Sequence, residues 1–269
     1  MRKTFVLCSV AFIGATLSTP LLAADSENFW MKTDRASIGV GVFFVEESTQ
    51  IKLSSDTLGE GTKIDFEDDL GLDEDEEVAR LIGHYRFKPR HRIEFSYFNI
   101  SRDGTATLLR DIQIEDTIFP AGSRVRSELD FTVFNASYAY SFYQTPKLEL
   151  GVTTALTIYD FDSNIVAPLT RTQEDGDGTA PFPTFGLRVK WPFKPKWLLA
   201  ASFDYFEIDE SDVEGEVIDI LVGVEYQAWK KVALGLGYND VTIEAEDKED
   251  LDELDWDYDG FFGYARFSF

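Results

Sequence analysis

Hydrophobic and polar positions alternate with a period of two along most of the chain. The clearest run is KLELGVTTALTIY. Leu148, Leu150, Val152, Thr154, Leu156 and Ile158 fall on one face; Lys147, Glu149, Gly151, Thr153, Ala155, Thr157 and Tyr159 fall on the other. A pleated strand sends successive side chains to opposite faces, so one face meets lipid or core and the other is small or polar. RIEFSYF, FGLRVKWPF, WLLAASFDYF, VIDILVGVEYQAW and VALGLGY alternate in the same way. Ten strands are predicted, near 36–46, 77–87, 91–104, 124–143, 147–160, 182–193, 197–207, 216–229, 231–243 and 260–269.

Two kinds of connection separate them. FKPRH (87–91), YQTPK (143–147), FKPKW (193–197) and WKKV (229–232) are short and basic, and three contain proline, which fixes a turn and ends a ladder. The other connections, roughly 47–76, 105–123, 161–180, 208–216 and 244–258, are longer and acidic. Short turns at one end and long loops at the other describe an all-β, up-and-down antiparallel barrel of about ten strands, with both termini on the same side. TQIKLSS (49–55) with TKIDFEDD (62–69) reads either as a hairpin above the barrel or as an extra strand pair.

The N-terminus changes the picture from barrel to exported barrel. Arg2 and Lys3 precede an apolar run to about Leu22, then Ala23 and Ala24, which is the layout of a secretory signal peptide spanning 1–24. Residues 25–269 then form the barrel domain. Cys8 lies in the leader, so the mature part has no disulfide with which to stabilise itself. Without Arg2 and Lys3 there are 23 basic residues against 49 acidic, a net charge near −26 that excludes nucleic acid as a partner. Disordered acidic chains are poor in aromatic residues; 23 Phe and 11 Tyr argue for a folded one. No apolar run follows the leader that is long enough for a membrane helix. The choice is between a soluble β-sandwich or lipocalin-like barrel and a transmembrane barrel, and the basic turns opposite acidic loops favour the latter.

The last strand, GFFGYARFSF, alternates Phe261, Gly263, Ala265, Phe267 and Phe269. With the leader and the turn pattern, it resembles the Gram-negative outer-membrane β-barrel proteins, in particular small single-domain barrels of the OmpA-transmembrane-domain and opacity-protein kind. The resemblance implies an outer-membrane location, contact with membrane lipid and lipopolysaccharide, and a terminal Phe read by the barrel-assembly machinery during biogenesis.

If the apolar face meets lipid, the lumen receives Arg80, His84, Arg86, Arg92, Glu94, Glu149, Arg188, Lys190, Asp204, Asp219, Glu225 and Arg266. Bases and acids nearly balance there, and long opposite charges in a narrow barrel should pair across it, because unpaired buried charge is costly. A salt-bridged plug is the expectation; a narrow polar diffusion channel of porin type is the alternative. Tyr85, Phe87, Tyr140, Phe142, Trp191, Phe193, Trp197 and Trp229 cluster beside the basic turns and read as an interfacial girdle.

Catalysis is not expected. An omptin-like protease or a lipid-modifying hydrolase would need a histidine at the acidic rim or beside a serine. His84 is mid-strand, and His91 lies in the FKPRH turn at the other end. No spacing pairs either with a serine, although distant strands could bring one to His84. The acidic loops hold 13 acids between Glu46 and Glu77, and ten between Glu244 and Asp259. DWDYDG is spaced like the start of a calcium loop, but the twelfth position is Arg266 rather than Glu. The remaining expectation is that no cofactor is held, that the loops are largely solvated, and that Asp255, Asp257 and Asp259 join DFEDD in a diffuse rim for weakly bound Ca or Mg. A structural or surface-interaction role follows, its ligand unidentified.

Overall fold

The computed structural model describes residues 35–269 apart from 56, 170, 171 and 250; the signal-peptide segment lies outside the described residues. Ten strands form one ring: β1 (Ala36–Lys52), β3 (Asp75–Lys88), β4 (His91–Thr107), β7 (Arg124–Thr145), β8 (Leu148–Ala167), β9 (Thr172–Lys194), β10 (Trp197–Asp209), β11 (Val213–Trp229), β12 (Val232–Asp247) and β13 (Asp252–Ser268). Each pairs antiparallel with its neighbours, and β13 closes on β1 from Ser37–Ser268 to Lys52–Glu253. Closure removes the free edges that an open sheet would expose. At this seam Gly41 and Gly260 let the chains approach: an added Cβ would lie 2.2 Å from the Gly263 carbonyl oxygen and 1.9 Å from that of Phe44, respectively.

The four basic turns are where the alternation puts them, between β3 and β4, β7 and β8, β9 and β10, and β11 and β12. A register shift accompanies each, at Arg86–Lys88, Ser141–Tyr143, Trp197–Leu199 and Gln227–Trp229. Such bulges increase local twist and let a tight turn close a strongly coiled pair.

Outward positions form an apolar belt. Val40, Val42 and Phe44 on β1, Leu234 and Leu236 on β12, and Phe261 and Phe267 on β13 are all exposed, Val40 and Leu236 by 61 % each. A folded protein in water does not display a continuous ring of this kind, and a bilayer accounts for it. Near the turns the belt ends in exposed Tyr85, Phe87, Phe142, Trp191, Phe193, Trp197 and Trp229, with half-buried Tyr140 beside them. At the far end it stops at Phe44 on β1 and Phe261 on β13, beyond which Glu46 and Asp259 face outward as register partners.

The strands are longer than the alternation suggests. About 9–11 residues span a bilayer, yet β7 has 22 and β9 has 23. The acidic segments expected as loops at 161–180, 208–216 and 244–258 are therefore mostly strand, joined by short turns above the belt. Acid-rich TQEDGDG pairs as strand because its partner β8 continues opposite it, from Phe161–Gly178 to Ala167–Thr172. In the first long connection, Ile64–Asp65 (β2) pairs with Gln50 and Ile51 of β1, which favours the hairpin reading of this segment. In the second, Ile112–Ile114 (β5) and Thr117–Phe119 (β6) form a small hairpin outside the ring.

Candidate functional site in the barrel lumen

The charged residues expected inside all occupy inward positions. In the half nearest the basic turns they form a chain across strands. Arg86 Nη2 donates to Glu149 at 2.9 Å, and the Ser141 hydroxyl donates to the same carboxylate. Arg92 reaches Glu94 at 2.8 Å and Glu149 at 3.8 Å. Arg188 lies 3.6 Å from Glu94 and donates to Asp204 at 2.6 Å, which also accepts from Thr153 at 2.9 Å. Lys190 is the register partner of Glu149 and lines the same space. Arg266 donates to Glu225 at 3.0 Å, and the Tyr264 hydroxyl donates to it at 2.8 Å. Of these groups, Arg92, Glu94, Arg188, Lys190, Asp204, Glu225 and Arg266 line a cavity of about 210 Å³.

Arg80 marks the middle of the barrel. Its guanidinium sits 5.2 Å from the rings of Phe43 and Phe98 and 4.9 Å from that of Phe262. It donates to Asn239 at 2.9 Å, and Asn239 donates to Asp219 at 2.7 Å. Arginine suits this place because its weakly hydrated plane stacks on aromatic faces. Asn239, 1 % exposed, went unnoticed in the sequence because it is uncharged.

His84 does meet a serine. Ser37, on the neighbouring strand β1, lies 2.9 Å from His84 Nδ1, and both residues are buried. Spacing along the chain gives no hint of this, since 47 residues separate them and only the register of β1 on β3 aligns them. His91 faces outward at the turn end, 2.6 Å from the Tyr138 hydroxyl, among the girdle rings.

The opposite half of the lumen is apolar and capped. The first and second long connections were expected to be solvated. Instead Ile64, Phe66, Leu70, Leu72, Leu108, Ile112, Ile114 and Phe119 are buried. The two connections bind each other through Thr62 N–H to Gln113 carbonyl (3.1 Å) and Glu115 N–H to Leu53 carbonyl (3.2 Å), and Arg110 donates to Asp69 at 2.7 Å. They reach the ring through Phe66 N–H to Thr49 carbonyl (3.0 Å) and a bridge between Leu72 and Gly104. Burial of these side chains explains the departure: an acidic loop still folds when its few apolar residues find a common face.

Arg102 anchors the cap. Its side chain is fully buried; it donates to Glu67 of the cap and to the Thr49 hydroxyl at 2.7 Å, and lies 3.6 Å from Glu47. Glu47 also accepts from the Trp256 indole N–H at 3.3 Å. It stands beyond the end of the apolar belt at Phe44. Burial pushes its carboxyl up to about 7, against the opposing pull of Arg102 and Trp256. Neither Arg102 nor Glu47 stood out in the sequence. The signal was available: Arg102 continues the inward parity of Arg92 and Glu94 on β4, and Glu47 that of Ser37 and Phe43 on β1.

The acidic rim differs most from expectation. Asp255, Asp257 and Asp259 lie on β13, not in a loop, and turn outward while Trp256 and Tyr258 between them are buried. Alternate residues of one strand face are spaced about 6.6–6.8 Å apart, and Asp257 and Asp259 line an acidic cavity together with Glu46 and with Asp65, Glu67 and Asp68 of DFEDD. Asp255 pairs with Lys63, and Asp259 accepts from the Tyr238 hydroxyl at 2.6 Å. Among the described residues no group of three or more His, Cys, Asp or Glu is placed to hold a metal ion. The three aspartates thus belong to an acidic collar, with Asp259 between Asp240 and Glu46 in the ladder.

Closed ring, lipid-facing belt and short basic turns define the fold of the Gram-negative outer-membrane β-barrel proteins. One solved structure shares this fold: the outer membrane protease OmpT from Escherichia coli aligns over 88 % of this chain and 98 % of its own, with a TM-score of 0.54 and 11 % identity. Neisserial surface protein A aligns over 88 % and 98 % (TM-score 0.35, 13 % identity), and Ail, the attachment invasion locus protein of Yersinia pestis, over 86 % and 97 % (TM-score 0.33, 10 % identity). No family model matches the chain, and no curated protein matches it in sequence.

Proposed function

We propose that this chain is an outer-membrane barrel, exported by a cleaved signal peptide, whose lumen is closed and whose function lies in its capped, acidic outer end. The observations that support the reading are the ion pairs that cross the lumen in one half and the Arg102-anchored cap over the other. Long connections of such barrels face outside and short turns face the periplasm, so the cap and collar form the surface presented to the environment. The role is structural or surface-interaction. Divalent cations shared with anionic lipid headgroups would relieve the collar's repulsion without a dedicated site.

The reading is non-catalytic. Ser37 and His84 lie at the periplasmic end, buried among the ion pairs, and the acids of the outer rim have no histidine beside them. Incubation of the folded barrel with basic peptides and labelled lipid A should release no product. A narrow diffusion channel is the rival, drawing on the 210 Å³ cavity along the charged wall. Liposomes carrying the barrel should not swell in small neutral sugars; swelling that scales with protein would establish the channel instead.

A further inference from the structure

One space inside the barrel is used by neither the ion pairs nor the cap. Between the cap and the wall made by β8, β9, β12 and β13 lies a cavity of about 260 Å³. Its walls include Phe66 of the cap and Phe131, Tyr159, Phe161, Phe182 and Trp256 of the ring, and among the described residues no carboxylate, ammonium or guanidinium lines it. The Thr49 hydroxyl at its edge is taken by Arg102 at 2.7 Å.

We propose that this cavity is a binding site for a compact, neutral, apolar ring compound of one or two fused rings. The rings of the wall are already set in place. Trp256 stacks on Phe131 at 4.1 Å with 15° between planes, and Tyr159 meets Trp256 edge-on at 5.4 Å. Tyr159 in turn packs edge-on against Phe182, and Phe131 lies 5.3 Å from Phe161. A guest would therefore meet ring faces and edges at no further ordering cost. Size sets the number of rings: an apolar cavity of about 150 Å³ stays dry and takes benzene, and this one is larger. Charge sets the head group. No cationic side chain among the described residues lines the cavity, so a carboxylate-bearing lipid would be buried there without a partner.

The space is held open by a glycine. Gly178 faces the lumen opposite Phe161, and an added Cβ there would meet only Phe161 Cδ1, at 3.9 Å. Backbone crowding does not require glycine at this position, and glycine in a strand interior costs stability and marks close approach by a ligand or another chain. A side chain at 178 would grow into the cavity.

The test is ¹⁹F NMR of 1-fluoronaphthalene with the full barrel folded in detergent, where micelle partition gives a linear background. The expected result is a saturable bound signal at one equivalent. Gly178→Leu should weaken it at least tenfold, while Phe185→Ala, on the exposed outer face of the same strand, should leave it unchanged. Octanoate should not compete. If Gly178→Leu does not fold, Phe161→Trp fills the same space from the facing strand and should give the same loss. A wild-type signal that stays linear, or a saturable one untouched by the filling variant, overturns the site; competition by octanoate overturns the neutral ligand class.

Discussion

Below the Phe43, Phe98 and Phe262 rings, strand partners are joined through the lumen by Arg–carboxylate pairs; above them, apolar side chains from two connections fold back over the mouth. The lower half is built entirely from strands, so each charge has one possible direction and a fixed set of neighbours. The upper half is assembled from segments distant in sequence, and its fully buried Arg102 joins strand β1, through Glu47 and Thr49, to the first connection, through Glu67, while buried Lys52 pairs with Glu253. The lower half needs many pairs to fill a polar tube; the upper half needs fewer because most of its filling is apolar.

That comparison can be broken at Arg102. Arg102→Ala leaves Glu47 and Glu67 buried without their cation, at a cost of roughly 3–5 kcal/mol. Urea titration should show the loss, and limited proteolysis should cut within 57–74 while leaving the ring intact. Next in size is Arg266→Met. Alone it strands Glu225 and costs about 3 kcal/mol, but combined with Glu225→Leu part of that returns, because an apolar pair of similar volume replaces a buried ion pair, while the Tyr264 hydroxyl loses its acceptor. The same double exchange at Arg102 and Glu67 should not rescue the cap, since Thr49 and Glu47 also lose their partner.

A gentler probe is pH. The Glu47 carboxyl ionises near 4.5 in the unfolded chain and at about 7 in the folded one. The folded state therefore holds the proton more tightly, and stability falls as pH rises from 4.5 to 7, then levels off. The full span is about 3 kcal/mol by proton linkage. Unfolding of Glu47→Gln across this range should lack that slope; an unchanged slope would show that Glu47 does not cause it.

The lower half was legible in the sequence for a physical reason. Lipid on one side forces strict alternation, so Arg80, Glu94, Arg188 and Glu225 could be placed inside without knowing their partners. Above the belt that constraint ends. The cap carries its apolar residues at irregular spacing among 13 acids between Glu46 and Glu77, and nothing local shows that Ile64 and Ile112 share a core. Some of the upper half could still have been read by extending the parity. On β13, Phe262 points inward, and counting back by twos gives Gly260, Tyr258 and Trp256. The calcium-like spacing of DWDYDG drew attention to its aspartates, whereas its buried members are the two aromatic residues between them.

Closure of the lumen is tested most directly by single-channel recording in planar bilayers, comparing the wild-type barrel with Arg102→Ala. A lumen sealed independently in its two halves predicts no stable conductance steps from the wild type, and none from Arg102→Ala, because the ion-pair chain from Arg86 to Asp204 remains after the cap is loosened. Large, regular steps from the wild-type barrel would contradict it.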